Sequence, residues 1–157
     1  MRTVDERISE APADACFRAA ADVERWPEIL PHYRWVRFQR RDGFASGRVE
    51  MAAWRQFGPL KYPTWWVSEM SHDPGAKTVV YRHVEGITRG MDVVWTIEEI
   101  DGGATHLSIV HEWKGPPWPV IGALAAEAII GPHFISHIAS RTLAGVARTA
   151  EARVTGR

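Results

Sequence analysis

Residues 91–113, MDVVWTIEEIDGGATHLSIVHEW, carry the clearest structural pattern in this chain. In each half of this segment apolar residues alternate with polar ones, as in a strand that buries one face. Asp101-Gly102-Gly103 between the halves is a good hairpin signal. We therefore predict two antiparallel strands, Met91–Ile100 and Thr105–Trp113. We expect every second residue of each strand to point inward, which selects Met91, Val93, Trp95, Ile97, Thr105, Leu107, Ile109, His111 and Trp113.

The same period of two extends from this hairpin towards the N-terminus. Turn sequences such as Asp42-Gly43 and His72-Asp73-Pro74-Gly75 divide the region into strands with short connections, so neighbouring strands should pair antiparallel. The predicted strands in this region are Thr3–Ser9, Arg34–Arg41, Ala45–Arg55, Tyr62–Ser71 and Lys77–Val84.

Helical signals lie on both sides of these strands. Pro12 stands where the first turn of a helix tolerates proline, and an Ala-rich segment follows it. A second short helix is predicted over Pro27–Leu30. Towards the C-terminus we expect a short helix over Val120–Ile130, a break at Gly131-Pro132 and a long helix to about Ala152. The stripe expected to face the protein on the long helix is Ile135, Ile138, Ala139, Thr142, Val146 and Ala150.

This order of elements predicts an α+β fold. A seven-stranded antiparallel sheet needs a partner for its apolar face, and the long C-terminal helix supplies one, with two short helices after the first strand. The chain of 157 residues is long enough to bury a core of its own, so we expect a single domain over residues 1–157.

Composition argues against several functional classes. Nineteen Lys and Arg balance 19 Asp and Glu, so no broad positive field attracts nucleic acid. The single cysteine, Cys16, excludes an intrachain disulfide and a Cys-based zinc site. No apolar stretch approaches the ~20 residues that span a bilayer, and the charged N-terminus does not read as a signal peptide. We therefore expect no stable membrane insertion and a cytoplasmic location.

Two weaker motifs favour simple structural roles. His133 and His137 are four residues apart, a spacing that suits two metal ligands on one helix face, but no third ligand accompanies them. We therefore predict no metal site. The segment RWVRFQRR, residues 34–41, interleaves basic and aromatic residues; its alternation favours an exposed strand over a nucleic-acid surface.

The inward-facing residues indicate a small-molecule pocket. On Lys77–Val84 we expect Val79, Tyr81 and His83 to point inward. Polar groups such as His83 and His111 interrupt an otherwise apolar set, and a buried polar group without a partner costs about 1–3 kcal/mol. Aromatic walls with a few polar groups are usual in ligand pockets. Alternatively, the eight Trp residues simply fill a small core, and their N–H groups bond to the backbone.

Four stretches together carry a resemblance to a known superfamily: ADVERWPEILPHY (21–33), WWVSEM (65–70), the segment 91–113 and HFISHIASRTLAGVARTAE (133–151). The chain resembles the START-like, birch-pollen-allergen-like (SRPBCC) helix-grip proteins. Within them it is most similar to bacterial polyketide aromatase/cyclases, the cyclase/dehydrase group. The resemblance implies a sheet curled around the C-terminal helix, a deep cavity between them and a bulky hydrophobic or polycarbonyl ligand.

The resemblance also assigns roles to individual positions. It matches Trp26-Pro27 to a family Trp-Pro, and Tyr33, Trp66, Ser68 and Trp95 to pocket positions. It therefore implies that Thr64, Trp66, Ser68 and Met70 point inward, which the pattern of that strand leaves ambiguous.

This sequence departs from the aromatase pattern in two places. The aromatases place a catalytic arginine two residues after the pocket serine, where this chain has Met70. Methionine cannot donate a hydrogen bond, so another group must replace the arginine if the protein is an enzyme. The hairpin between Phe44 and Pro63 is also several residues longer than in the aromatases.

Two functional hypotheses follow. The first is a polyketide cyclase/aromatase-like enzyme, which promotes aldol cyclisation and dehydration without a metal or other cofactor. The second is a non-catalytic carrier or sensor of a lipid, quinone or aromatic ligand. The candidate catalytic residues are Tyr33, Ser68, His83 and His111, and the candidate ligand-binding residues are Trp26, Trp66, Met70, Tyr81, Trp95 and Trp113.

Overall fold

The computed structural model describes residues 1–57, 59–115 and 132–156. Its strands are β1 (Arg2–Ser9), β2 (Tyr33–Arg41), β3 (Ser46–Phe57), β4 (Leu60–Asp73), β5 (Thr78–Gly86), β6 (Asp92–Glu99) and β7 (Thr105–Glu112). Its α-helices are α1 (Ala13–Ala21), α2 (Trp26–Ile29) and α3 (Pro132–Thr155), and single 3-10 turns cover Val23–Arg25 and Asp101–Gly103. The helix predicted over Val120–Ile130 lies outside the described residues.

All seven strands form one antiparallel sheet in the order β1-β7-β6-β5-β4-β3-β2. Strands β2 to β7 are consecutive neighbours, as short connections require. Strands β1 and β2 lie at opposite edges of the sheet, and the segment of chain that connects them contains α1 and α2. The predicted α+β class, with two short helices after the first strand and a long C-terminal helix, is confirmed.

The predicted inward faces are confirmed by burial. In the segment 91–113 each residue expected to point inward is buried, except that His111 is half-buried. On β5, Val79, Tyr81 and His83 are buried. The ambiguous strand β4 follows the resemblance, because all four residues assigned inward are buried: Thr64, Trp66, Ser68 and Met70.

Helix α3 packs against β1, β7 and the two short helices. At Gly145 of α3, a Cβ atom would collide with the side chain of Leu30, which directly follows α2. Since Leu30 is fully buried, it has little room to move aside. This contact fixes the height of α3 above the sheet. Neither α3 nor the shorter described helices are long and apolar enough to span a membrane.

The turn between β4 and β5 lies later than predicted. His72 and Asp73 belong to β4, and the turn covers residues 74–77. The reason is that the Asp73 carboxylate accepts the N–H groups of Gly75 (2.8 Å) and Ala76 (3.0 Å), so this side chain closes the turn from the last strand position.

Candidate functional site

A cavity lies between α3 and the inward face of the sheet. Its space between atoms is about 660 Å³, which includes the opening to solvent. Among the described residues none of its lining side chains is an Asp, Glu, Lys or Arg. The lining residues are Tyr33, Met51, Thr64, Trp66, Tyr81, His83, Ile87, Thr88, Met91, Val93, Trp95, Ile109, His111, Phe134, Ile135, Ile138, Ala139 and Thr142.

An aromatic cluster forms one wall of the cavity. The ring of Tyr33 lies edge-on to Trp66, with 6.2 Å between centroids, and to Trp26 at 5.1 Å. Trp26 also packs against Trp95 at 5.8 Å, and its Nε1–H donates to the Ala19 carbonyl at 3.2 Å. Because Trp26 is bonded to α1 and wedged between two wall residues, it holds the wall rigid from behind.

The side chain of His83 is held in the cavity by a hydrogen bond and by a ring contact. Its Nδ1 lies 2.6 Å from the Thr88 hydroxyl, and its ring stacks on Trp66 at 5.9 Å with 18° between planes. Gly86, in the left-handed region at φ 93°, passes so close to the backbone of Trp66 that a Cβ would not fit there. This turn brings Thr88 back to His83. Burial, followed by the nearby His111, lowers the pKa of His83 to about 3.

His111 is the second imidazole of the lining. Its Nδ1 lies 3.4 Å from the hydroxyl of Thr3, its cross-strand neighbour on β1. Burial lowers the pKa of His111 to about 4. Both imidazoles of the cavity are therefore neutral at physiological pH.

A third neutral histidine, His32, lies just outside the lining. Its Nε2 is 3.0 Å from the hydroxyl of Thr142, which donates to the Ile138 carbonyl at 2.8 Å. Burial, then the charges of Arg141 and His137, lower the pKa of His32 to about 4. The pair joins the start of β2 to α3 across the end of the cavity.

Both inward tyrosines keep their protons. Burial raises the pKa of Tyr33, an effect that the Thr142 hydroxyl partly opposes. Burial also raises the pKa of Tyr81, and the proximity of Tyr33 raises it further. Each phenol therefore remains a hydrogen-bond donor.

The structure brings six of the ten predicted site residues to the cavity: Tyr33, Trp66, Tyr81, His83, Trp95 and His111. The other four lie elsewhere. Ser68 is fully buried beside His83 on the neighbouring strand but does not line the cavity. Trp26 supports the wall from behind. Trp113 is buried, and its Nε1–H donates to the Arg89 carbonyl at 2.9 Å. Met70 lines a separate, smaller hollow with Phe44 and His72.

Sequence reasoning missed several polar residues of the site. Thr88 lies in the connection between β5 and β6, where no periodicity marks a side chain as inward. The resemblance places Thr64 inward but gives it no role in the site; it lines the cavity, and its hydroxyl donates to the Ala53 carbonyl at 2.9 Å. Thr142 belongs to the predicted inward stripe of the long helix, and that signal could have identified it.

The histidine pair that suggested a metal is on the outside of α3. His133 and His137 are both exposed. Within the part of the chain that the structure describes, no group of three or more His, Cys, Asp or Glu side chains could hold a metal ion.

Comparison with known families yields one match over most of the chain. The sequence profile of the family described as "Polyketide cyclase / dehydrase and lipid transport" matches residues 9–129.

Solved structures with the same fold span nearly the whole chain. The Zhui aromatase/cyclase from Streptomyces sp. R1128 is 21% identical, with a TM-score of 0.83 over 98% of this chain and 95% of that one. The protein TTHA0849 from Thermus thermophilus is 19% identical, with a TM-score of 0.80 over 98% and 99%. A START superfamily protein from Mycobacterium smegmatis is 14% identical, with a TM-score of 0.65 over 99% and 97%. At these identities the likeness establishes a shared helix-grip fold.

Proposed function

Because the chain belongs to the polyketide cyclase/dehydrase and lipid transport family, we propose that it binds a bulky, uncharged polycarbonyl molecule in the cavity beneath α3 and promotes its aldol cyclisation and dehydration. The observation that carries this proposal is the pairing of two neutral imidazoles with an uncharged, largely apolar lining. Such a site can move protons without holding a fixed charge against the substrate.

His83 supplies the base. In the tautomer that donates Nδ1–H to Thr88, its Nε2 carries a free lone pair and takes a proton from a methylene between two carbonyls. The resulting enolate carbon attacks a carbonyl carbon further along the same chain and forms the new C–C bond. The alkoxide that results takes the proton from the imidazolium. Nε2 then removes a second proton from the carbon between the carbonyl and the new hydroxyl-bearing carbon. The imidazolium passes this proton to the hydroxyl, which leaves as water, and the dehydration is complete.

The low pKa of His83 applies while the cavity holds no anion. An enolate beside the ring favours the imidazolium, because opposite charges attract strongly where water is excluded. The ion pair forms only while the enolate exists, so the proton returns readily to the product. The same burial keeps His83 unprotonated at neutral pH, so its Nε2 lone pair is unoccupied before the substrate binds.

Tyr33 and His111 complete the proposed catalytic set. Tyr33 can donate to a carbonyl or enolate oxygen, since its pKa is raised and its phenol stays protonated. His111 offers a second neutral imidazole on another wall. Ser68 takes no part in this proposal, because it does not line the cavity.

The test is incubation with a poly-β-ketone chain produced by a minimal synthase. We expect the wild-type protein to shift the product distribution towards one cyclised aromatic product. His83→Ala should lower the rate of that product by about 10²–10⁴-fold, the usual contribution of a positioned acid–base group. His133→Ala, on the exposed side of α3, is the matched control. A product distribution that the wild-type protein leaves unchanged contradicts catalysis.

A second candidate function is a non-catalytic carrier or sensor of a quinone, lipid or flat aromatic molecule. The uncharged lining favours it, because such ligands need only apolar contact and one or two hydrogen bonds. A thermal-shift screen of these three classes tests it. Binding at 100 times the dissociation constant should stabilise the fold by about 2.7 kcal/mol. No shift with any class contradicts this function.

A further inference from the structure

One side chain of the cavity lining, Tyr81, carries a hydrogen-bond donor that is buried and unpaired within the described part of the chain. The side chain of Tyr81 is only 4% exposed, and its hydroxyl has no hydrogen-bond partner among the described residues. Buried donors are nearly always paired, because an unpaired one loses its bonds to water without replacement. An unpaired phenol on a cavity wall therefore points to a ligand that supplies the missing hydrogen-bond acceptor.

The location of Tyr81 separates it from the other unpaired groups. Trp35 Nε1 and Ser68 Oγ also lack partners among the described residues, but neither residue lines the cavity. Tyr81 does line it. Its β-strand neighbours on the same face, Met70 on β4 and Val93 on β6, are both buried and fix the backbone beneath it.

The partner that the phenol needs is an uncharged oxygen acceptor. The described lining residues carry no cation that would compensate a carboxylate, so a buried anion there would be costly. A carbonyl oxygen accepts a hydrogen bond and brings no donor of its own that would need a further partner. Met70, the position where the resemblance implies a cation, is the cross-strand partner of Tyr81. A neutral donor thus lies one strand away from that position.

We propose that the Tyr81 hydroxyl donates a hydrogen bond to a ketone or quinone carbonyl of the bound ligand and so selects carbonyl compounds over hydrocarbons of the same shape. This inference rests on the proposed function, because it requires that the cavity take a neutral guest. It names a specificity residue that the catalytic set of Tyr33, His83 and His111 does not contain.

The test compares two probes of matched shape, 9-fluorenone and fluorene, by titration. We expect wild-type protein to bind the ketone about five- to tenfold more tightly, the effect of one net hydrogen bond. Tyr81→Phe should reduce that ratio of affinities to about one, because it weakens only the binding of the ketone. Tyr62→Phe is the matched control, because Tyr62 is 59% exposed and outside the lining.

Two further readouts exclude a merely structural role. The infrared C=O stretch of bound 9-fluorenone should lie at lower frequency in the wild-type protein than in an apolar solvent, and should return to the solvent value in Tyr81→Phe. The empty Tyr81→Phe protein should melt at the same temperature as the wild type or higher, because the variant loses an unpaired buried donor.

The outcomes separate the two proposals. If both probes bind and Tyr81→Phe keeps the wild-type ratio, the role of Tyr81 is overturned and the proposed function stands. If neither probe binds wild-type protein, the role of Tyr81 is overturned, and the incubation with the poly-β-ketone decides the proposed function separately. If Tyr81→Phe does not fold, the wild-type infrared measurement decides alone, and an unshifted C=O stretch overturns the role of Tyr81.

Discussion

Trp65 and Trp66 are adjacent in sequence but meet opposite environments on the two faces of β4. Trp65 is 38% exposed on the outer face, where its Nε1–H donates to a Glu50 carboxylate oxygen at 2.6 Å. The same carboxylate accepts from Arg37 Nε at 2.6 Å, and these contacts, that of Arg37 first, hold the pKa of Glu50 below its ordinary value. Trp66 lines the cavity and stacks on a neutral His83.

The two faces thus accommodate polar groups by different means. The outer face keeps its charges and pairs them in water, as in the bond from Arg82 to both oxygens of Asp92. The inner face keeps its titratable groups by suppressing their charge, because burial disfavours the ionised forms. One sheet can therefore carry a surface that we expect to tolerate substitution and a cavity whose titratable groups are uncharged.

Acid should have the largest effect, because it protonates the neutral histidines of the inner face. The folded pKa values of His32, His83 and His111 are about 4, 3 and 4, against about 6.5 in the unfolded chain. Between the folded and the unfolded pKa values, the unfolded state therefore binds more protons than the folded state. The free energy of unfolding is consequently highest above about pH 6.5 and falls as the pH drops towards 4. At pH 5 each of these histidines should have removed about 2 kcal/mol from the free energy of unfolding.

Urea unfolding at pH 7 and pH 5 measures the effect. In His83→Gln the loss between these two pH values should be about 2 kcal/mol smaller than in the wild type, whereas in the exposed control His133→Gln it should match the wild type. An identical loss in wild type and His83→Gln would show that the cavity already accommodates a charged imidazole.

Truncating the two tryptophans in turn should give the next largest difference. Trp66→Ala removes a nearly buried indole from the aromatic wall and should lower the free energy of unfolding by about 3 kcal/mol. Trp65→Ala loses a half-exposed ring and one bond to a carboxylate that keeps Arg37, so about 1 kcal/mol is expected. Chemical unfolding of both variants tests the ranking, and equal losses would contradict the assignment of the faces.

The smallest effect belongs to the outer ion pairs. Arg82 and Asp92 have side chains 62% and 48% exposed, so water screens their attraction. A double-mutant cycle of Arg82→Ala and Asp92→Ala should give a coupling energy of about 0.5 kcal/mol or less, lower still in about 1 M salt. A coupling above about 1.5 kcal/mol would mean that the outer face is not the tolerant surface described above.

The strand faces were predictable because they depend on a local period. Alternation alone placed Trp95 and His111 inward, and the resemblance resolved β4. Alternation does not show which of the inward residues line the cavity, because that depends on their position along the strand. Ser68 and Met70 point inward as expected but do not line the main cavity, because the layer that covers each part of the sheet is set by distant segments.

The polar contacts of the site were the least predictable part. The position of His83 follows from its strand, but its partner Thr88 comes from a turn whose shape depends on Gly86. His32 carries no sequence signal of its role, because nothing near it in sequence marks its contact with Thr142, 110 residues away. Pairs of this kind arise only when the whole chain has folded.

The strand order has a consequence for the folding pathway. β1 pairs with β7, and the contact between Thr3 and His111 spans 108 positions of the chain. A ribosome therefore releases β1 long before its partner exists, and the hairpins from β2 to β7 can assemble first. Such long-range closure slows folding and leaves an unpaired edge exposed in the meantime. We therefore expect the cavity beneath α3 to be among the last parts of the molecule to form.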